Sequence, residues 1–408
     1  MIILYSVALI FLIFSYLIIR FKNVSERIYL ADSFLIGITI YTIGSIILYR
    51  NFYNEISQNI LELSLIAFIS ATVGAIMGLF IKKTKNIIYK KDFISTKILI
   101  FFSSFITLIF IFLVIRNNEI YTQLISFFID NTEGYNSIRK QITSGSSGYF
   151  APGYIKQFRD IMGPIALVSL ISYRKKFSNK LYLIIPFLII LIGVFLSGQR
   201  GVLFAFILLL FLALTKKIKI ISARTIIYII AVLFSFSIFS IFLGRNDPFS
   251  QDPIIVQALN QITERIFLVL PLENYNSSVI WFGKVTYGAS WISEISKILP
   301  GTDFGLSNMM HSANLGSYEG NSVLGLPIDI YYSFGYLGVI IFPIFYSLIL
   351  SYIDRRILNS DSNLVLFSKI FLFIQLPFIF SPYGFILYGG AFILLLMFFI
   401  TIFEKIKT

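Results

Sequence analysis

Long apolar runs separated by short charged turns are the feature that most constrains this chain. A helix rises 1.5 Å per residue, so about 20 apolar residues cross the roughly 30 Å hydrocarbon core of a bilayer. We count eleven such runs, at approximately residues 2–19, 30–48, 60–81, 98–115, 150–173, 181–197, 201–215, 225–243, 327–352, 364–380 and 383–403. They predict an all-α, polytopic helical membrane protein with about 11 transmembrane helices, built as a single integral membrane domain over residues 1–408.

Composition excludes a water-soluble fold. Hydrophobic residues make up 57% of the 408 positions, charged residues make up 13%, and the mean hydropathy is +0.85. An average soluble protein carries about 25% charged residues. Too few charged side chains are therefore available to cover a water-exposed surface, and membrane lipid is the expected surrounding.

The distribution of charge among the turns predicts the orientation. When the turns are assigned to alternate sides of a membrane, one side holds 22 of the 33 Lys and Arg residues with 6 acidic residues. The other side holds 11 basic and 14 acidic residues, although its loops are longer. Because positive charge marks the cytoplasmic side, the amino terminus is predicted outside and the carboxyl terminus inside. The first outer loop (116–149) and the large outer loop (244–326) then face outward, and the +13 net charge implies no nucleic-acid partner.

The ionisable residues favour an enzyme over a carrier. Carriers and proton pumps keep such residues near the middle of their spans. Here the acidic residues nearest a span, Asp32, Glu62 and Asp329, lie close to its ends. With no cysteine and one histidine the usual zinc spacings cannot be assembled, so we expect no metal and no cofactor.

The turn Ser197-Gly198-Gln199-Arg200-Gly201 is the first candidate site. The runs on either side are short, so the turn is predicted to lie somewhat below the outer membrane surface. A guanidinium recessed there favours an anionic partner, and a lipid phosphate is the natural one. The flanking glycines let the backbone approach a ligand closely. The alternative is that Arg200 snorkels to headgroups as an ordinary anchor.

The large outer loop offers two further arginines. A segment between Pro253 and Pro271 carries apolar residues at helical spacing, which predicts an amphipathic helix at the membrane interface. Arg245 precedes this helix and Arg265 lies within it, so each could reach the same phosphates. Each could equally be a solvated surface residue.

The rest of the large outer loop suits contact with sugars. Trp281, Tyr287 and Trp291 could stack on sugar rings, although interfacial tryptophan is common in any membrane protein. His311 could act as general base toward a sugar hydroxyl, and so could Glu319, Asp303 or Asp329. A lone histidine is more often structural than catalytic.

The chain resembles the Wzy-type O-antigen and capsular polysaccharide repeat-unit polymerases. The resemblance rests on the multi-span layout with two large outer loops, on the Ser-Gly-Gln-Arg-Gly turn, and on the Tyr-x-x-Phe-Gly-x-x-Gly pattern at residues 331–338. It implies a glycosyltransferase in the bacterial cytoplasmic (inner) membrane. Such an enzyme joins undecaprenyl-diphosphate-linked oligosaccharides at the outer face during lipopolysaccharide or capsule synthesis.

The same resemblance implies roles for particular residues and partners. The outer-loop arginines Arg139, Arg159, Arg245 and Arg265 would bind the diphosphate together with Arg200, and His311 or Glu319 would accept the proton. The partners would be an undecaprenyl-diphosphate-linked donor and acceptor, membrane lipid, and a regulator of chain length. An O-antigen ligase and a lipid-linked oligosaccharide flippase are the alternative functions.

Overall fold

The described part of the chain is entirely helical in its regular structure. The computed structural model describes residues 2–23, 29–82, 92–116, 155, 157–176, 179–196, 200–215, 253–296, 306–316, 324–357, 362–376 and 393. Its α-helices are α1 (Ile2–Asn23), α2 (Leu30–Phe52), α3 (Glu55–Gly78), α4 (Asp92–Arg116), α5 (Gly163–Ser172), α6 (Leu181–Leu196), α7 (Arg200–Thr215), α8 (Ile254–Thr263), α9 (Val269–Asn276), α10 (Ser278–Trp281), α11 (Ala289–Ser296), α12 (Leu306–Leu315), α13 (Leu326–Tyr352) and α14 (Asn363–Gln375). π-Helical segments at Phe158–Met162, Glu264–Leu268 and Ile353–Ile357 adjoin α5, α9 and α13, and a 3-10 turn covers Arg174–Lys176. The all-α prediction is confirmed for these residues.

Within these residues, four helices are long and apolar enough to cross a bilayer. They cover Leu30–Phe52, Glu55–Gly78, Ser95–Arg116 and Leu326–Arg356. Shorter apolar helices cover Leu9–Arg20, Leu181–Leu196 and Asn363–Gln375. The chain is therefore a helical membrane protein. The runs at 225–243 and 383–403 lie outside the described residues, apart from residue 393, so the count of eleven stays a prediction.

The turn between α2 and α3 shows why these helices end where they do. Tyr53 ends α2 in a left-handed conformation, with φ 42° and ψ 52°, and its N–H donates to the carbonyl of Tyr49. Asn54 then caps α3, because its side chain accepts from the Ser57 N–H while the Ser57 hydroxyl accepts from the Asn54 N–H. Helix α3 consequently begins at Glu55 and not near residue 60, where the apolar run begins.

The chain divides into two compact units. Unit 1 comprises Met1–Lys85, Gln261–Asn359 and Leu372–Ala391, and unit 2 comprises Asn86–Asn260, Ser360–Phe371 and Phe392–Thr408. Unit 1 contains α1 to α3 and α9 to α13. Unit 2 contains α4 to α7.

Small residues hold α3 and α13 together in unit 1. A Cβ added at Gly74 would lie 2.4 Å from the carbonyl oxygen of Ile344, and one added at Gly78 would lie 2.1 Å from the Ser351 hydroxyl. The Ser347 hydroxyl donates to the carbonyl of Ala71 at 3.0 Å. Tyr336 interacts with Asn59 toward the start of both helices, and Ser351 meets Gly78 at their ends, so the two helices are parallel. A Gly-x-x-x-Gly stripe on α3 therefore lets two backbones approach closely, as is typical of helix pairs in lipid.

Buried charges gather at the end of unit 1 that is predicted to be cytoplasmic. Arg20 of α1 pairs with Asp32 of α2 at 3.1 Å, and the Tyr16 hydroxyl donates to the same carboxylate. Arg355, just after α13, donates to the carbonyls of Leu79 and Ile81, which follow the last residue of α3. These bonds satisfy helix-terminal carbonyls and keep each charge partnered under the surface.

Unit 2 is built around α4 and α5. Helix α4 packs against α5, α6 and the π-helix Phe158–Met162, and α7 packs against α5. A Cβ added at Gly163 would lie 3.2 Å from the Ile190 side chain, so α5 and α6 approach each other closely here. The π-helix brings Arg159 and Asp160 into this interior, where both are buried.

Candidate functional site

The first polar arrangement lies at the predicted outer end of unit 1, around a break in α13. Gly335 has φ 68° and ψ −166°, a backbone region almost confined to glycine. At this break the loop before α11 pairs with the helix backbone: the Thr286 N–H donates to the Tyr332 carbonyl and the Gly288 N–H to the Ser333 carbonyl, each at 2.8 Å. The Tyr-x-x-Phe-Gly-x-x-Gly pattern thus corresponds to an interrupted helix that receives a loop.

Side chains reinforce the docking of this loop. The Ser290 hydroxyl lies 2.8 Å from that of Ser333. The Trp291 indole N–H donates to Oδ1 of Asp329 at 3.2 Å, and the Trp291 ring packs edge-on against Phe334 and Phe342. Asp329 is completely buried. In the sequence Asp329 lies near the end of a predicted span. In the structure Trp291 of the large outer loop contacts it.

The three aromatic residues predicted to contact sugar have different surroundings. Trp281 is fully buried and its N–H donates to the carbonyl of Asn274 at 2.7 Å. Asn274 in turn donates to the Tyr41 hydroxyl of α2 at 2.8 Å. Trp281 therefore anchors the loop from within. Tyr287 is 89% exposed, so it is the member of the three that offers an open ring.

A polar cleft of about 400 Å³ opens at the turn between α2 and α3. Its walls are Tyr49, Tyr53, Asn54, Glu55, Gln58, Asn59 and Glu62. None of the site residues predicted from the sequence lies in this turn. The signal that could have found it is the density of tyrosines, amides and carboxylates in a stretch of fourteen positions between two apolar runs, residues 49–62.

Contacts with the large outer loop hold this turn in place. The Asn54 amide donates to the Tyr275 hydroxyl at 2.6 Å, and the Phe52 ring stacks on that of Tyr275 with centroids 4.6 Å apart. Glu273, on the same helix α9 as Tyr275, is half-buried. Burial raises the pKa of its carboxyl above the ordinary value.

Unit 2 holds the described arginine among those predicted to bind diphosphate. Arg159 Nε and Nη2 donate to Asp160 at 2.6 and 2.7 Å, and its guanidinium lies 4.0 Å from the centroid of the Phe110 ring. A Cβ at Gly193 would lie 3.3 Å from the Arg159 side chain. Gly193 precedes Ser197 by about one helical turn, so Arg159 packs beneath the end of α6 that leads into the Ser197–Gly201 turn.

The remaining predicted residues are described in backbone only or not at all. Arg200 is the first residue of α7, Arg265 lies in the π-helix Glu264–Leu268, and His311 lies in α12. Arg139, Arg245 and Glu319 lie outside the described residues. The roles assigned to these six stay predictions.

Helix α8 occupies the stretch predicted to form an amphipathic helix. It leaves Ile254, Ile255 and Leu259 exposed. An exposed apolar face on a polar loop suits a helix that lies at a membrane surface.

Among the described residues, no group of three or more His, Cys, Asp or Glu side chains is arranged to hold a metal ion. Comparisons with protein-family models, curated proteins and solved structures find no match to this chain. Function must therefore be argued from its residues.

Proposed function

We propose that this protein is a metal-independent membrane glycosyltransferase that polymerises undecaprenyl-diphosphate-linked oligosaccharides at the outer face of a bacterial cytoplasmic membrane. The sequence resemblance motivates the reaction, and the described helices support the membrane setting. Two predicted outer features, the exposed Tyr287 and the polar cleft at the α2–α3 turn, supply groups suited to hydroxyl-rich ligands.

One observation carries the chemical part of the proposal. Arg159 packs against Gly193 in the last turn of α6, and Arg200 is the first residue of α7, the next helix along the chain. Both arginines, which the sequence assigns to diphosphate binding, belong to unit 2. A guanidinium has five N–H donors, and two of those on Arg159 bond to Asp160. Because Arg159 is buried, a phosphate oxygen could reach its other N–H donors only within the protein interior, where Asp160 fixes the side chain.

The mechanism follows from the leaving group. The bond between sugar and diphosphate breaks as a hydroxyl of the second glycan attacks the anomeric carbon, and negative charge develops on the departing phosphate oxygen. Arg200 and Arg159 would stabilise that charge in a poorly hydrated zone, where such contacts are strong. His311 or Glu319 would accept the hydroxyl proton.

Arg200→Ala tests this assignment. Because loss of one charge-stabilising donor typically costs about 10² to 10³ in rate, we expect chain growth to fall at least a hundredfold. Purified protein in lipid nanodiscs is incubated with a synthetic diphosphate-linked repeat unit, and product lengths are read by mass spectrometry. Arg174→Ala, which removes an exposed arginine of the same unit, is the matched control. A normal product ladder from Arg200→Ala in correctly inserted protein contradicts the proposal.

A flippase for lipid-linked oligosaccharides is the second candidate, because α13 combines a helix break with the buried carboxylate of Asp329. Interrupted helices and buried acidic residues are typical of transporters. The same nanodisc reaction separates the two functions, since a flippase leaves the covalent length of the glycan unchanged. Transfer of labelled lipid between the leaflets of liposomes without any longer product would favour the flippase.

A further inference from the structure

We infer that the cleft at the α2–α3 turn binds sugar residues of the lipid-linked glycan, with a preference for amino-bearing or uncharged sugars over acidic ones. This inference rests on the proposed function for the identity of the glycan. The lining residues of the cleft all belong to unit 1 and include none of the arginines assigned to diphosphate binding.

The size and lining of the cleft fit a small carbohydrate. A volume of about 400 Å³ lies in the range of small-molecule sites, roughly 300 to 1,000 Å³. Asn54, Gln58 and Asn59 supply amide donors and acceptors, and Glu55 and Glu62 supply acceptors only. Hydroxyl-rich ligands need both kinds of group at close spacing.

A tyrosine at the rim is held in a conformation that presents its ring. Tyr53 is 75% exposed and has a φ of 42°, which costs a bulky residue free energy. Its ring leans on that of Tyr49, with centroids 5.1 Å apart. Strained backbone conformations cluster at ligand-binding sites, and an exposed aromatic ring beside a cleft can stack on a sugar ring.

The interrupted helix contributes a second ring. Tyr336 follows the break at Gly335, is exposed, and lies beside Asn59 and Glu62. Two residues of the cleft wall therefore interact with a tyrosine of the motif.

Charge decides which sugars fit. The described lining residues include two carboxylates, Glu55 and Glu62, and no basic side chain. The Gln58 side-chain amide donates to Oε1 of Glu62 at 2.9 Å. A cleft of one charge sign attracts the opposite charge and repels its own. Phosphate and uronate groups are disfavoured here, whereas an ammonium group on a sugar is favoured.

The experiment uses three soluble probes with the full chain in nanodiscs: the tetramer of glucosamine, its N-acetylated form, and tetragalacturonate. Binding is titrated by saturation-transfer NMR. We expect the glucosamine tetramer to bind roughly tenfold more tightly than tetragalacturonate, because two carboxylates face it. The affinity of the neutral, N-acetylated tetramer is expected to lie between those of the other two probes.

Variants separate stacking from charge. Tyr53→Ala should weaken binding of the cationic and neutral tetramers roughly three- to tenfold. Tyr53→Asn tolerates the left-handed backbone and should do the same, which excludes misfolding as the cause. The double variant Glu55→Gln, Glu62→Gln should lose the preference for the cationic tetramer and keep its affinity for the neutral tetramer. Tyr352→Ala, an exposed tyrosine at the opposite end of α13, is the control and should change nothing.

The results test the cleft and the proposed polymerase activity separately. No binding of any probe by the unmodified chain, equal affinity for all three, or an equal loss in Tyr352→Ala overturns the inference. Discrimination among probes without polymer synthesis leaves the cleft assigned and rejects the polymerase. Polymer synthesis without discrimination rejects the cleft alone.

Discussion

At the residue scale, two tyrosines depart from the backbone conformations that side chains prefer. Tyr53 and Tyr287 have φ values of 42° and 49°, and they are the non-glycine residues with positive φ in the described chain. Both are highly exposed, so neither is held there by burial of its own ring. Their strain must be offset by neighbouring contacts, such as the pairing of Thr286 and Gly288 with α13.

Tyr287→Gly is expected to raise the thermal stability of the protein. Relief of the left-handed strain gains about 1 to 2 kcal/mol, from which the greater freedom of glycine in the unfolded chain subtracts about 0.5 to 1 kcal/mol. Melting in detergent measures the change. Tyr182→Gly, at an exposed position in the first turn of α6, is the control and should instead lower stability by about 0.5 kcal/mol. A loss in Tyr287→Gly as large as the control's would show that the ring contributes packing that exposure does not reveal.

The burial of Glu273 predicts that the stability of the protein depends on pH, and it fixes the sign of that dependence. Burial raises the pKa of this carboxyl in the folded protein. Its contribution to stability is thus fully present below the unfolded pKa and is lost as the pH rises through the folded pKa. Glu273→Gln should therefore melt at a higher temperature than the unmodified protein at neutral pH, with the difference shrinking toward about pH 4. The exposed Glu264→Gln is the control, and a pH-independent difference between Glu273→Gln and the unmodified protein would contradict the assignment.

At the element scale, the break in α13 connects the helix to the loop that docks on it. Gly335→Ala forces a side chain into a region almost confined to glycine, at an expected cost of about 1 to 3 kcal/mol. Amide hydrogen exchange at Thr286 and Gly288 should rise, because the carbonyls that they bond lie beside the break. Gly283→Ala has a similar φ of 69° in open space and serves as control. Equal exchange in the two variants would mean that the loop does not depend on the break.

At the scale of the whole molecule, the predicted orientation can be tested because the chain contains no cysteine. Single cysteines at Tyr287 and Arg356 occupy exposed positions at opposite ends of unit 1. We expect a membrane-impermeant maleimide to label Tyr287→Cys on intact cells, and Arg356→Cys only after the membrane is permeabilised. The reverse pattern would overturn the orientation derived from charge.

The sequence predicted the positions of the long apolar helices, because a backbone in lipid must satisfy its own hydrogen bonds over a long apolar run. It did not predict features that depend on partners distant in sequence. Hydropathy cannot register the φ angle at Gly335, nor that Trp291 would meet Asp329. The cleft was missed because its importance comes from the fold around a short turn. Of the predicted site, the packing of Arg159 beside Gly193 is described, and its role stays a prediction.

The parallel pairing of α3 and α13 has a consequence for biogenesis. The Ser347 to Ala71 hydrogen bond joins positions 276 residues apart. Ribosomes add about 5 to 20 residues per second, so roughly 15 to 55 s separate the insertion of one helix from the arrival of its mate. During that interval the glycine stripe of α3 must face lipid or the insertion machinery. The first helices of this protein are therefore exposed to membrane quality-control proteases until α13 has been inserted.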